Sequence, residues 1–68
     1  MNAKVFLQNR ATGQFYTGAA GWSSSSSLAM DFDTVERAAG FAKTKRFAGM
    51  EVVMRINDPA CDLVLPLR

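Results

Sequence analysis

Residues 50–56 read MEVVMRI, a run in which uniformly apolar positions alternate with mixed ones. Because successive side chains of a strand point to opposite faces of a sheet, this period of two predicts a β-strand with one face in a hydrophobic core. The side expected to face the core consists of Met50, Val52, Met54 and Ile56. The opposite side consists of Glu51, Val53 and Arg55. The strand therefore predicts a sheet with two different faces, one of which needs a cover.

The segment before this strand predicts a helix over about residues 33–46. Asp33 is the expected N-cap, and Glu36, three residues later, completes a capping box. Basic residues fill the last turn, where they suit the negative end of the helix dipole, and Gly49 can end the helix. A narrow stripe of small apolar side chains, typical of a helix that lies close to a sheet, is formed by Val35, Ala38, Ala39 and Ala42.

The N-terminal part predicts a β-hairpin, since residues 3–9 and 14–18 are rich in β-branched and aromatic types and flank the turn-like RATG. We expect a three-residue loop that ends at Gly13. The core face of the hairpin would then carry Val5, Leu7, Phe15 and Thr17. The other face would carry Lys4, Phe6, Gln8 and Tyr16. A four-residue loop would instead place Phe15 beside Phe6 and split the apolar set.

After MEVVMRI, residues 57–60 predict a turn, and residues 62–65 predict a last strand that Pro66 confines to a sheet edge or ends. The element order is therefore β-β-α-β-β. It predicts an α+β fold of two layers, with one helix packed on one face of a small, mainly antiparallel sheet. A length of 68 residues predicts a single domain, 1–68, in which residues 19–27 form a flexible Gly/Ser loop.

Five consecutive serines, Ser23 to Ser27, raise the question of a nucleophilic site. A serine nucleophile needs a base to activate it, and the chain contains no histidine. A lysine base would have to be buried, whereas Lys4, Lys43 and Lys45 are all expected in solvent. We therefore predict no catalytic residue. The run is interpreted as a polar connection from hairpin to helix, with phosphorylation or partner contact as alternatives.

Neither a metal nor a cofactor is expected. The carboxylates closest to a cation-binding pattern are Asp31, Asp33, Asp58 and Asp62, and their spacing matches no calcium loop. The GxxG at residues 18–21 lacks the lysine and the helix start that a phosphate-binding loop requires. Cys61 is the single cysteine, so it has no internal disulfide partner, and an inert, partly buried thiol is expected.

The composition indicates a folded protein, because 49% of the residues are hydrophobic and 21% are charged. No apolar run approaches the roughly 18 residues that a membrane-spanning helix needs, so no membrane association is expected. Together with the single cysteine, this favours a reducing compartment and a cytoplasmic location.

The face of the sheet turned away from the helix is predicted to be the working surface. A face left open by the helix should be largely polar, yet apolar side chains are expected at its centre with charges around them. We expect this open face to bind a second copy, as a homodimer, or another protein. The expected contact residues are Phe6, Tyr16, Val53 and Arg55, with Trp22 at the margin. Trp22 has a simpler alternative, which is packing over the edge of the core.

An alternative hypothesis uses the same face to bind single-stranded nucleic acid. Rings on an open sheet can stack bases, and Lys4 and Arg55 could neutralise phosphates. The charge pattern does not favour this alternative, because the chain has eight basic residues and six acidic ones, and Glu51 lies among the basic side chains. An interaction module without enzymatic activity remains the first hypothesis.

Residues 32–42, FDTVERAAGFA, carry the pattern F-x-T-x-E-x-A-x-x-F-A, and Gly21-Trp22-Ser23 precede it. Both stretches resemble an accessory subunit of respiratory complex I, over about a third of the chain. The sequence departs from that family by its complete hairpin before the pattern, its two closing strands and its lack of a long basic tail. At most the resemblance implies a non-catalytic accessory role, and it assigns no site residue.

Overall fold

A computed structural model describes residues 3–19, 21–56 and 62–67 and shows one α-helix packed against a five-stranded antiparallel sheet. The predicted α+β fold class is confirmed. The elements are β1 (Ala3–Asn9), β2 (Phe15–Gly18), β3 (Gly21–Ser23), a short 3₁₀ helix (Ser26–Leu28), α1 (Val35–Lys45), β4 (Met50–Ile56) and β5 (Asp62–Pro66). The strand order is β3-β2-β1-β4-β5. Strand β3 lies inside the segment predicted as a loop, residues 19–27, and the 3₁₀ helix begins inside it and ends one residue after it.

The N-cap of α1 lies one residue after the predicted N-cap. Thr34, not Asp33, is the N-cap, because its hydroxyl oxygen accepts the backbone N–H of Arg37 at 3.1 Å. Asp33 has a left-handed backbone (φ 73°) and belongs to the turn before the helix. Since the third residue after Thr34 is Arg37, the predicted capping box with Glu36 does not form. The N-cap prediction was therefore wrong by one position.

A Schellman motif ends α1 at Lys45, one residue before the predicted end of the helix, and Arg46 takes the role that was predicted for Gly49. The N–H of Phe47 donates to the carbonyl of Ala42, and the N–H of Arg46 donates to that of Lys43. Arg46 takes the left-handed conformation (φ 58°) that such an end requires. Packing of Phe47 against the core supplies the hydrophobic contact that accompanies the motif.

The predicted hairpin register is wrong by one residue. Gln8 lies opposite Phe15, and the N–H of Asn9 donates to Gln14 at 2.8 Å, so four residues form the turn. The side-chain oxygen of Asn9 accepts the N–H groups of Ala11 and Thr12, and this local bonding selects the longer turn. A shift of one residue exchanges the two faces of β2. Phe15 is therefore on the face away from the helix, and Tyr16 is on the helix face.

The main core lies between α1 and the sheet, as the alternation in MEVVMRI predicts. Its buried members are Val5, Leu7, Phe32, Ala38, Ala42, Met50 and Val52. Tyr16 packs at its edge among four aromatic rings, with centroid distances from 5.1 to 6.2 Å. The register correction brings Tyr16 here, so its predicted position on the open face is wrong. Val53, on the other side of β4, is in a second cluster with Phe6 and Phe15, as its alternation predicts.

The face away from the helix is covered by residues 24–29, which we call the serine cover. Ala29 packs against the second cluster, in which Phe6 is 3%, Phe15 8% and Val53 3% exposed. Ser26 accepts a hydrogen bond from the guanidinium of Arg55 at 2.6 Å. The prediction that this face is open is therefore wrong, because the sequence between hairpin and helix lies across it.

From the serine cover the chain passes between β1 and β2 to the helix side. Ala29 contacts the second cluster, whereas Phe32, three residues later, is buried in the main core. The N–H of Met30 donates to Tyr16, and the N–H of Phe32 donates to Val5. The N–H of Val5 in turn donates to the carboxylate of Asp31 at 3.0 Å. These bonds fasten the crossing to both strands and hold the serine cover from its C-terminal end.

Candidate protein-interaction site

The exposed apolar side chains concentrate on the edge strand β5. Leu63 is 54%, Val64 48% and Leu65 44% exposed, and the three are consecutive. Among the described residues, the other large exposed apolar side chains are Leu28 and Met30, which lie in and beside the serine cover. Strand β5 stands last in the sheet order, next to β4. Its second edge is the place where another strand could be added.

The geometry of the ladder decides which backbone groups of β5 are free. Leu67 donates its N–H to the carbonyl of Met50 at 3.1 Å. These two residues lie opposite each other, two positions along the ladder from the pair of Leu65 and Val52. Because hydrogen-bonded positions recur every second residue in an antiparallel pair, Leu65 and Leu63 also direct their backbone groups at β4. The backbone groups of the alternate residues point away from the sheet. Those residues are Asp62, Val64 and Pro66.

Pro66 fits this edge for a physical reason. Proline has no N–H, and at residue 66 the missing donor points away from β4, where the ladder does not use it. The free edge of β5 therefore offers N–H groups at Asp62 and Val64, and carbonyl groups at these residues and at Pro66. Two donors and three acceptors are available for another strand.

Both faces of β5 carry exposed apolar side chains, and the helix does not cover this strand. The helix packs on β1 and β4. Leu63 and Leu65 lie opposite Met54 and Val52, on the helix side of the sheet, but outside the cover that the helix provides. Val64 lies opposite Val53 on the other side. Charged side chains commonly protect sheet edges from pairing, and here the strand carries only one, Asp62.

Asp62 is held by Arg55 and does not extend along the free edge. Two hydrogen bonds join them, from Nε to Oδ1 at 3.0 Å and from a terminal nitrogen to Oδ2 at 2.8 Å. These bonds hold the pKa of the Asp62 carboxyl below its ordinary value and raise the pKa of Arg55. The guanidinium also lies over the ring of Phe6, 5.6 Å from its centroid. Arg55 thus connects β5, the serine cover and the second cluster.

The predicted contact residues do not form one surface. Phe6 and Val53 are buried below the serine cover, and Tyr16 lies in the main core on the opposite face. Trp22 is half-buried and packs against Tyr16 and Phe47, with centroids 5.4 Å away in both cases. This arrangement agrees with the alternative that Trp22 packs at the edge of the core. Arg55 is on the predicted face but is half-buried.

Leu63 and Leu65 were not among the site residues predicted from the sequence. The available signal was the run DLVLP, in which apolar residues follow one another without a polar alternate. Such a run predicts a strand covered on both faces. The single helix reaches β1 and β4, so the described part of the chain has no element that covers β5 on the helix side.

In the described ranges, 3–19, 21–56 and 62–67, no three His, Cys, Asp or Glu side chains lie close enough to hold a metal ion. Asp31 accepts the N–H groups of Val5 and Asp33, so its carboxylate has a structural role. The predicted turn at 57–60, with Asp58, and the thiol of Cys61 lie outside the described residues. None of the helices in the same ranges is long and apolar enough to cross a bilayer.

A shallow groove of about 590 Å³ lies beside the C-terminal end of α1. Apolar side chains form much of its lining, and Arg10 and Lys43 are its charged members. The guanidinium of Arg10 is 3.8 Å from the carboxylate of Glu51, which offsets part of its charge. No carboxylate is among the described residues that line the groove.

Comparison with protein-family models, curated protein sequences and solved structures gives no match for this chain. The local resemblance of residues 32–42 has a structural explanation. Thr34 caps the helix, the rings of Phe32 and Phe41 lie 5.2 Å apart, and two alanines of the pattern are buried. These residues cap the helix and pack it into the main core.

Proposed function

We propose that this chain is a non-enzymatic protein-interaction module that binds another polypeptide by adding a strand to β5. The observation that carries the proposal is the combination on β5 of backbone groups that no other described strand pairs and three consecutive exposed apolar side chains. In strand addition, main-chain hydrogen bonds supply affinity and alternate side chains supply specificity. Both requirements are met on one edge of this molecule.

The energetics favour this edge over the face that the sequence predicts. Leu63, Val64 and Leu65 are about half exposed, so covering each of them would contribute about 1 kcal/mol from apolar burial. Phe6 and Val53 are already buried, and an incoming partner would first have to displace the serine cover. Binding at β5 requires no rearrangement of the chain.

Single-stranded nucleic acid is the weaker proposal. Base stacking needs an exposed ring, and Phe6 is only 3% exposed. Tyr16 packs against Phe32 and Phe41 on the helix side of the sheet. No observation on the described residues favours nucleic acid over a protein partner. A cytoplasmic location remains part of the proposal, on the basis of the single cysteine.

A pair of substitutions at Val64 tests strand addition. Val64→Pro removes an N–H that β4 does not use, so the fold should persist while the edge loses a central donor. Val64→Thr has nearly the same shape and keeps the N–H, and serves as the matched control. The protein, immobilised at low density so that copies do not meet, is offered a displayed library of short random peptides.

We expect the wild type and Val64→Thr to enrich peptides with alternating apolar residues, and Val64→Pro to lose that enrichment. Circular dichroism spectra of the three proteins should agree. Equal enrichment on Val64→Pro, or no enrichment on the wild type, would contradict strand addition at β5.

A further inference from the structure

We infer that the partner strand is β5 of a second copy, paired antiparallel about a two-fold axis at Val64; this inference rests on the proposed function. The two sheets would then form one continuous sheet across a symmetric homodimer. A two-fold interface places the same surface on both subunits, so the edge must be complementary to itself. The backbone groups and the side chains of β5 both meet this requirement.

The backbone groups pair without conflict in this register. Val64 of one copy donates to and accepts from Val64 of the other, because its N–H and carbonyl both face outward. Asp62 lies opposite Pro66 of the second copy and donates to its carbonyl. Because Pro66 has no N–H, the carbonyl of Asp62 at the end of the ladder receives no hydrogen bond from the second copy. Every other outward-facing group of β5 is paired. Four hydrogen bonds therefore join the two copies.

The side chains support the same register. Leu63 lies opposite Leu65 of the second copy, so the two strands bring four leucines together on the helix side. Both copies of Val64 meet on the other side. These are the exposed apolar side chains of β5, and all of them find a partner. Bringing apolar residues into direct cross-strand contact stabilises sheet pairing.

Other symmetric registers leave residues of β5 unpaired or place unfavourable groups opposite each other. An axis at Asp62 would place two carboxylates opposite each other, which is unfavourable for like charges. An axis at Pro66 would place two prolines opposite each other, and no N–H would be available there. An axis at Leu63 would pair Leu63 with itself and would leave Leu65 outside the overlap of residues 62–66. The axis at Val64 pairs all five residues of β5.

The single cysteine adds a reason for self-association. It has no partner within these 68 residues, so no disulfide between two of them supports the core. An apolar contact between copies therefore adds to the stability that the main core and the second cluster supply. The net charge of +2 per chain opposes association only weakly.

Cysteine cross-linking tests the register. Two variants, Leu63→Cys and Leu65→Cys, are each made with Cys61→Ser so that only the introduced thiols react. In the proposed dimer Leu63 and Leu65 form a non-hydrogen-bonded pair, in which Cα atoms lie about 4.5 Å apart and a disulfide can form. The two variants are mixed in a glutathione redox buffer, and the disulfide products are separated.

We expect the mixed disulfide, which joins position 63 of one variant to position 65 of the other, to exceed either symmetric product severalfold. A dominant symmetric product at residue 63 would overturn the register and indicate an axis at Leu63. Equal amounts of all products, or no cross-link, would also overturn it. If a cysteine variant fails to fold, amide exchange of the wild type tests the pairing in its place: the axis at Val64 requires protection of both Asp62 and Val64 to rise with concentration, and fast exchange at either residue in the associated protein would overturn it.

Sedimentation separates failure of this inference from failure of the proposed function. The wild type should dimerise with rising concentration, and Val64→Pro should raise the dissociation constant about tenfold or more. A wild type that stays monomeric but enriches peptides would overturn the homodimer and would still support strand addition. A monomer that enriches no peptide would overturn both.

Discussion

Arg55 joins three parts of the molecule that are far apart in sequence. Its guanidinium donates to Asp62 on β5 and to Ser26 in the serine cover, and it lies over the ring of Phe6. The side chains of Arg55 and Asp62 are 29% and 26% exposed, so their charges are partly shielded from solvent. A bidentate pair in such a position contributes more than a fully exposed ion pair.

Replacing Arg55 with Met should therefore destabilise the fold. The methionine keeps an apolar stem over Phe6 and removes every donor, which leaves Ser26 and Asp62 without this partner. We expect the free energy of unfolding to fall by about 1–2 kcal/mol. Denaturant unfolding followed by tryptophan fluorescence measures it. Arg37→Met, on the exposed side of the helix, is the control, and equal losses in both variants would contradict the role of Arg55.

The Arg55 and Asp62 pair also predicts a pH dependence. Because hydrogen bonds from Arg55 lower the folded pKa of Asp62, the unfolded chain takes up its proton first as the pH falls. The stabilisation is fully present above the ordinary value of 3.8 and is lost as the pH falls through the lower, folded pKa. Asp62→Asn should be less stable than the wild type at neutral pH.

The measurement is the difference in unfolding free energy between wild type and Asp62→Asn as a function of pH. This difference should be constant above 3.8 and should shrink below it. Using the difference removes the contribution of the other carboxylates, which both proteins share. A difference that stays constant into the acid range would show that Asp62 gains nothing from Arg55 in the folded state.

The serine cover is the element whose role differs most from the role that its composition suggests. Its serines make few apolar contacts, and its attachment depends on Ala29, on the bond from Arg55 and on the crossing at residues 30–32. Leu28 is 61% exposed and does not contribute to the buried cluster. Leu28 therefore lies in solvent, whereas Ala29, the next residue, packs against the second cluster.

Ala29→Asp and Leu28→Asp form a matched pair that tests the serine cover. A carboxylate at residue 29 would be placed against Phe6, Phe15 and Val53, and should lower the free energy of unfolding by about 1–3 kcal/mol. The same change at residue 28 should have almost no effect. Thermal unfolding of the two variants checks this, and similar melting temperatures would mean that Ala29 does not pack on the sheet.

At the scale of elements, the sequence predicts what local periodicity encodes. The faces of β4 follow from MEVVMRI because the period of two is unbroken over seven residues. The helix follows from its stripe of alanines, although its cap lies at Thr34. Its last residue depends on the left-handed Arg46, and a non-glycine residue gives little signal for that conformation.

The hairpin register and the path of the serine cover could not be predicted in the same way. One turn residue more or less exchanges the faces of β2, and the choice depends on the hydrogen bonds of one side chain, Asn9. The cover has no apolar period, and its position depends on contacts with strands distant in sequence. Phe6, Tyr16 and Val53 were therefore expected on one exposed face, whereas they are distributed between two covered ones.

At the scale of the whole molecule, the two faces of the sheet are covered by different means. The helix lies over β1 and β4, and the serine cover lies over the second cluster. Neither extends to β5, where the exposed apolar residues Leu63, Val64 and Leu65 remain. A sheet that is covered on both faces and apolar at one edge is suited to growth by strand addition.

Amide hydrogen exchange of β5, measured as protein concentration rises, tests the pairing of two copies through β5 most directly. The N–H of Leu65 bonds to β4 in every state, whereas that of Val64 faces outward and is free in the monomer. Protection at Val64 should rise from that of a free amide as concentration rises, whereas Leu65 is already protected in the monomer, and the Val64→Thr variant should behave like the wild type. Exchange at Val64 that stays fast at concentrations where the protein associates would contradict pairing through β5.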